Sequence, residues 1–366
     1  MWSGGSGGGS DAWRNANSWS PASGQAGPGS GDAAVFSNAG TATNIGINFN
    51  DGRGLIAPIG AIILSAGGHR TIWNSSANAA GTLRIESLNG QLLVNQATNA
   101  TLALSNGSTQ AMNVQFASGG SIHVAASNAA IVIGSAISGS NGFIKTGAGT
   151  LRLERANPLG GSVAVAGGEL ALAANVGASL GAVTNVSVQS GASLRLVTPG
   201  QLGSATGLDL HGGTLRGASG QVAVAETAGR LTLSADSTID VRASAITFAT
   251  SSSVVWGNGA VLSITNWRNV GDPLGGRIYF GVGGLTSTQL AQIYFADLGI
   301  RGAQLVGPHG ELTPIPEAPV VVSALALALF ILWRERGRVM RAVRRRIGRR
   351  CGGSAPRADR SRSADG

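Results

Sequence analysis

The sequence predicts an all-β protein: a right-handed parallel β-solenoid (β-helix) body, a single C-terminal transmembrane helix and a basic tail. Three observations predict it. Short runs that alternate apolar and polar residues recur along the chain, many opened by glycine. They return at similar spacing. Near the C-terminus an uncharged apolar run is followed at once by a cluster of arginines.

Composition narrows the class. The 366 residues include 58 Gly, roughly twice the ordinary share. Hydrophobic residues make up 43% and charged residues only 12%, which excludes disorder for most of the chain, since disorder needs low hydrophobicity and high charge. One cysteine excludes a disulfide scaffold. Glycine does not recur at every third position, which excludes a collagen helix.

The strands come next. Gly81–Glu86 reads Gly-Thr-Leu-Arg-Ile-Glu, Gly120–Val124 reads Gly-Ser-Ile-His-Val, Gly149–Glu154 reads Gly-Thr-Leu-Arg-Leu-Glu and Gly229–Ser234 reads Gly-Arg-Leu-Thr-Leu-Ser. Period-two alternation gives each run one buried and one wet face. Starts at Gly149, Gly168, Gly191, Gly213 and Gly229 step by 19, 23, 22 and 16 residues, the length of one coil of a β-helix. An antiparallel sandwich also uses short strands, but recurring units of similar length favour the solenoid. Helix signals before Pro316 reduce to one turn at 287–293, with Thr286 or Ser287 as N-cap.

The charge sits at one end. Residues 334–366 hold 12 Arg against Glu335, Asp359 and Asp365, which accounts for the whole net charge of +9. A block like this points to a membrane surface or a nucleic acid. The preceding residues decide for the membrane. Val320, Leu325, Leu327, Leu329, Phe330, Ile331, Leu332 and Trp333 lie in a 14-residue uncharged run, which as a helix spans ~21 Å, short of the ~30 Å hydrocarbon core. Snorkelling Arg334, Arg336 and Arg338 extend it, and Trp333 stands at the junction as interfacial aromatics do. Arg341, Arg344, Arg345 and Arg346 continue the basic stop, with Val339, Val343 and Ile347 on one face of an amphipathic helix suited to an anionic leaflet. The arginine excess places the C-terminus in the cytoplasm and the body outside.

Three stretches carry a resemblance. Ser138–Leu172 closely resembles the autotransporter-associated β-strand repeat, with Lys-Thr-Gly-Ala-Gly-Thr-Leu at 145–151 and Gly-Gly-Glu-Leu at 167–170. The opening Trp2, Trp13 and Trp19 resemble the Trp-rich start that precedes such repeats. In relatives that start follows a signal peptide, so an export signal upstream of Met1 is expected. The C-terminus is similar to a PEP-CTERM sorting signal, with Pro316, Glu317 and Pro319 as its recognition box, one residue longer than the usual Pro-Glu-Pro. The resemblance implies a bacterial cell-envelope protein cut near that box by a membrane-bound protease of the exosortase type. The expected division is 1–45, a Trp- and Gly-rich N-terminal cap; 46–254, solenoid repeats; 255–312, a C-terminal cap; 313–350, the sorting signal with its membrane helix at 320–333; and 351–366, a disordered end.

Signals for chemistry are sparse. Asp236 and Asp240 are the closest carboxylate pair in a strand, ~13 Å apart at i and i+4, too far for a retaining glycosidase. His69, His123, His211 and His309 show no metal-ligand spacing. Gly177–Gly181 matches Gly-x-Ser-x-Gly but no helix follows, as the elbow requires. Cys351 lies in the tail without a partner. Trp73, Trp256 and Trp267 could stack on sugars, although an isolated Trp in a β-protein more often packs in the core. No catalytic residue, metal or cofactor is expected. The expected function is structural or adhesive, at the cell surface or in the extracellular matrix. The expected partners are the membrane, the sorting protease and envelope glycans, with no nucleic acid. The alternative is a β-helix polysaccharide lyase or hydrolase, which a groove lined by three or more charged side chains would favour. An autotransporter passenger would need a C-terminal barrel of ~10-residue alternating strands, where this chain has its arginine tail.

Overall fold

Alternation drives the architecture. In the computed structural model, Leu83 and Ile85, Ile122 and Val124, Leu151 and Leu153, and Leu231 and Leu233 all turn inward and are fully buried or nearly so, while the residues between them face out. The structure describes residues 13, 18–19, 27–37, 43–50, 54–106, 110–175, 177, 179–218, 224–267 and 276–315. All of them lie in the unit Met1–Ile315.

Up to Ile293–Phe295, successive strands do not pair with each other. Each pairs with the strand one coil later, giving stacked parallel sheets on two or three faces. A nine-strand sheet runs from Ala33–Phe36 through Ala61–Leu64, Gln91–Asn95, Ser121–Val124, Phe143–Thr146 and so on to Leu231–Ala235. A twelve-strand sheet runs from Asn44–Ile47 through Arg70–Asn74, Thr101–Ser105, Ala130–Ile133, Thr150–Leu153, Gly168–Leu172, Ala192–Leu196, Thr214–Arg216 and Ser237–Asp240 to Leu262–Thr265, Ile293–Phe295 and Ile300–Arg301. The third face is split. Four strands, Ile56–Ile59 to Ile137–Ser138, serve the early coils; five strands, beginning at Val224–Ala228 and Ser244–Phe248, serve the late ones. This connectivity is that of a β-solenoid.

The register explains the small, apolar composition. One inward column of the twelve-strand sheet stacks Leu102, Ile131, Leu151, Leu170, Leu194, Leu215, Ile239, Ile264 and Phe295, each paired with the next. All nine are fully buried. A slip of one residue in any coil would turn its column outward, so the register is tightly specified.

The corners are fixed by buried polar side chains. Asn95 donates from Nδ2 to the carbonyls of Ala100 (3.0 Å) and Ala130 (2.9 Å) in successive coils, and its Oδ1 accepts from Ala97 N–H at 3.1 Å. Asn74 and Asn157 bridge coils in the same way. These amides satisfy backbone groups that leave the ladders at the turns and would otherwise be buried unpaired.

The stack is longer than the expected 46–254. Ala33–Phe36 already pairs in parallel with Ala61–Leu64. Parallel pairing also persists to Leu262–Thr265 and Arg277–Tyr279, so antiparallel closure begins only with Ile293–Phe295 against Ile300–Arg301 and the Ala303–Val306/Glu311–Pro314 hairpin. At the other end Trp13 and Trp19 pack edge-to-face at 5.5 Å over Phe36. The short helix Ser287–Ala291 is capped by Thr286, whose hydroxyl and Gln289 form a capping box. Gly229, spaced with the other glycine starts in the sequence, opens a strand of the nine-strand sheet, so its 16-residue step is not a coil.

Among the described residues no helix is long and apolar enough to cross a membrane. The expected helix at 320–333, the recognition residues Pro316, Glu317 and Pro319, the basic stop from Arg334 to Arg346 and Cys351 lie outside the described residues.

Candidate functional site

The coils change length part-way along the stack, and a polar concavity lies at that change. On the nine-strand face the early steps are 28, 31 and 29 residues (Ala33 to Ala61, Ile62 to Leu93, Leu93 to Ile122). Later ones are 23, 20, 23, 22 and 23 (Ile122 to Lys145, Ile144 to Ala164, Val163 to Val186, Asn185 to Gly207, Leu208 to Leu231). The difference is taken up at the corner beyond the twelve-strand face. There the chain spans 106–111 in one coil but only 134–136 in the next.

The short corner leaves a cavity of about 530 Å³, lined by Ser105, Asn106, Gly134, Arg152, Glu154, Arg155, Ala173 and Asn175. Outward alternation in Thr150–Leu153 and the residue after it brings Arg152 and Glu154 to the surface, where Arg152 Nε lies 2.7 Å from Glu154 Oε1. Arg155, a lining residue, donates from Nε to the Gly134 carbonyl at 3.3 Å, a bond that does not use its terminal amines. Asn106 Oδ1 accepts from Met112 N–H at 3.0 Å, so the amide is held with its Nδ2 to spare. Gly134 forms the floor, and a side chain there would meet Glu154 Oε2 only at 3.5 Å.

The same face continues as a charged stripe. Register aligns Arg152, Ala171, Arg195, Arg216 and Asp240 in one outward column. Glu169 lies between Arg195 (2.8 Å) and Arg216 (3.4 Å), and Arg242 pairs with Asp240 at 2.7 Å. Five arginines face three carboxylates, so the stripe is cationic. Exposed pairs of this kind contribute only ~0–1 kcal/mol each to stability, so their number here says more about what the surface attracts than about folding.

Trp73 stands one coil before the cavity, register-paired with Ser105, half-buried and on the outward side of its strand. Trp256 and Trp267, grouped with it in the sequence, are core residues; Trp256 donates its indole N–H to the Leu231 carbonyl at 3.1 Å.

The other sequence candidates are held apart in structural roles. Asp236 accepts from Val261 N–H, while Asp240 is gripped by Arg242 and Asn266. Ser179 is fully buried and bonds to Gln201 at 2.6 Å, with a turn around it instead of a nucleophile elbow. His69 accepts from Thr101 N–H at its Nδ1, and His123 pairs with Thr146. Among the described residues no group of three His, Cys, Asp or Glu could hold a metal ion.

Among the buried charged residues that the sequence reading did not mark as buried are Lys145 and Glu226. Lys145, in the Lys-Thr-Gly run, is fully buried and donates to the carbonyls of Thr146, Gly147 and Gly167 at 2.9–3.0 Å. Burial pulls its ammonium down to about 8. Glu226 is buried beneath the late third face and accepts the N–H groups of Gln201 and Leu202, both at 2.8 Å. Burial pushes its carboxyl up to about 7, against the downward pull of those N–H groups.

No match was found to a known family, a curated protein or a solved structure.

Proposed function

We propose that the chain is an exported bacterial cell-envelope protein with a structural or adhesive role, anchored by its C-terminal tail. The observation that carries this reading is the apolar run 320–333 abutting a block that holds the whole net charge of +9. A soluble body has no use for that pairing, whereas a stop-transfer segment needs both halves. The resemblance of 316–346 to a PEP-CTERM signal adds a sorting protease of the exosortase type, recognising Pro316, Glu317 and Pro319. The body suits the role: a net-neutral stack of parallel coils whose ladders bury their backbone groups offers few openings to proteases. In this reading the coils wind right-handed, as connections between parallel strands of one sheet almost always do.

Fractionation of the native host tests the proposal. Deleting residues 316–366 should move the body from the envelope to the medium. A body that stays cell-bound without them contradicts the anchor.

A second reading, a polysaccharide-active enzyme, draws on the three charged side chains of the groove. Hydrolysis needs two carboxylates, and among the described lining residues Glu154 is the one carboxylate. The groove therefore favours binding over hydrolysis.

A further inference from the structure

We propose that the groove between Trp73 and Asn175 is a binding site for an acidic saccharide, a glycan carrying uronate carboxylates. The inference rests on the adhesive reading and names the ligand of that surface.

Four features of the groove lead to this class. First, its direction: the cavity crosses the coils, following Ser105, Gly134, Glu154 and Ala173, and Trp73, in register with Ser105 one coil earlier, extends the same line to a run of ~19 Å at the ~4.8 Å strand spacing. Its floor is a corner whose backbone N–H groups at Gly134, Glu154 and Ala173 are already bonded to carbonyls of the preceding coil, so it presents no free strand edge. A peptide adding itself as a strand has nothing to pair with there.

Second, its chemistry: Ser105, Asn106 and Asn175 supply short hydroxyl and amide groups, the donors and acceptors that sugar hydroxyls use. Third, its charge: Arg152 is partly neutralised by Glu154, but Arg155 is held only through Nε to a carbonyl. Its two terminal amines form a fork that matches a carboxylate. The stripe of Arg195, Arg216 and Arg242 beyond keeps the approach cationic. Fourth, the half-buried indole of Trp73 offers a flat apolar face to the C–H face of a sugar ring.

The cavity of about 470 Å³ near the C-terminal closure makes a contrast. It is framed by the stacked Phe248 and Phe280, with Tyr279, Pro308 and His309. Among its described lining residues there is no arginine or lysine to meet a carboxylate.

The test titrates trigalacturonate into the full-length chain in detergent. Salt is held at 0.15 M, where a Debye length of ~8 Å screens the basic tail. The comparison probes are maltotriose, neutral but similar in size, and a short poly-glutamate. Binding of trigalacturonate, with maltotriose and poly-glutamate far weaker, is expected. Arg155→Ala should weaken it about tenfold, as loss of one charge-assisted contact does. Gly134→Val, whose Cβ would meet its neighbours at ordinary contact distances and whose methyls would add bulk at the floor, should abolish it. Arg84→Ala removes the same charge from another sheet and should change nothing. Equal binding of maltotriose, wild-type affinity in both Arg155→Ala and Gly134→Val, or poly-glutamate binding that Gly134→Val abolishes would each overturn the proposal. Because Arg155 is exposed, its variant remains informative if Gly134→Val folds poorly. Loss of trigalacturonate binding with normal release of the tail-deleted body sinks the saccharide and leaves the envelope role; the reverse result separates them the other way.

Discussion

Glu226 shows how a single side chain can set the pH response of the stack. Its carboxyl sits near 7 in the folded chain and returns to about 4.5 when the chain unfolds. The folded state therefore holds a proton that the unfolded state has already released. By linkage, stability is greatest below pH 4.5, falls as the pH rises, and reaches its lower plateau above about 7. The loss over that window is on the order of 3 kcal/mol. Glu226→Gln should remove this slope. It keeps one acceptor for Gln201 or Leu202 and forfeits the other, so the variant starts ~1 kcal/mol lower in acid and overtakes the wild type at about pH 5, where the wild type has lost that much. Urea unfolding at several pH values measures this; parallel curves for the two proteins would show that Glu226 is not the source. Neither Glu226 nor Lys145 could have been picked out from the sequence as buried. Their partners, Gln201, Leu202 and Gly167, are 22–25 residues away, about one coil, and only the register brings them together.

Elements were far more legible. Strands marked by alternation at Gly81–Glu86, Gly120–Val124, Gly149–Glu154 and Gly229–Ser234 all form, because period two needs no knowledge of the partner strand. The helix at 287–291 was legible through its cap, with Thr286 the N-cap of the two candidates. Corners were not legible, and the groove is a corner. Nothing in Gly134 reveals that its turn is shorter than its neighbours. Glycines that look alike in sequence differ here in physical role. Gly168 adopts φ +63°, and a Cβ there would lie 2.3 Å from the Gly149 carbonyl oxygen. Gly134 has no such constraint. Gly168→Ala should therefore cost at least ~2 kcal/mol in unfolding free energy, while Gly134→Ala stays within ~0.5 kcal/mol of wild type. Equal losses in the two variants would mean that close packing of the coils is not what places glycine at 168.

At the scale of the molecule, the net charge divides the chain into a neutral body and a basic end, and the sequence showed this without any structure. The number and length of the coils were only partly visible, because two families of coil exist and the glycine spacing mixed two faces. That difference between long and short coils has a mechanical consequence. Hydrogen bonds between coils run along the stack, so tension applied between its two ends loads one coil's bonds at a time instead of shearing whole sheets together. Stretched in a single-molecule pulling experiment, the body should lengthen in steps. Short coils of 20–23 residues should release about 70–80 Å and long coils of 28–31 about 95–105 Å, at roughly 3.4 Å per extended residue. A single abrupt rupture would show instead that the coils fail together. A tether that yields stepwise dissipates a sudden load and can keep its grip while it lengthens.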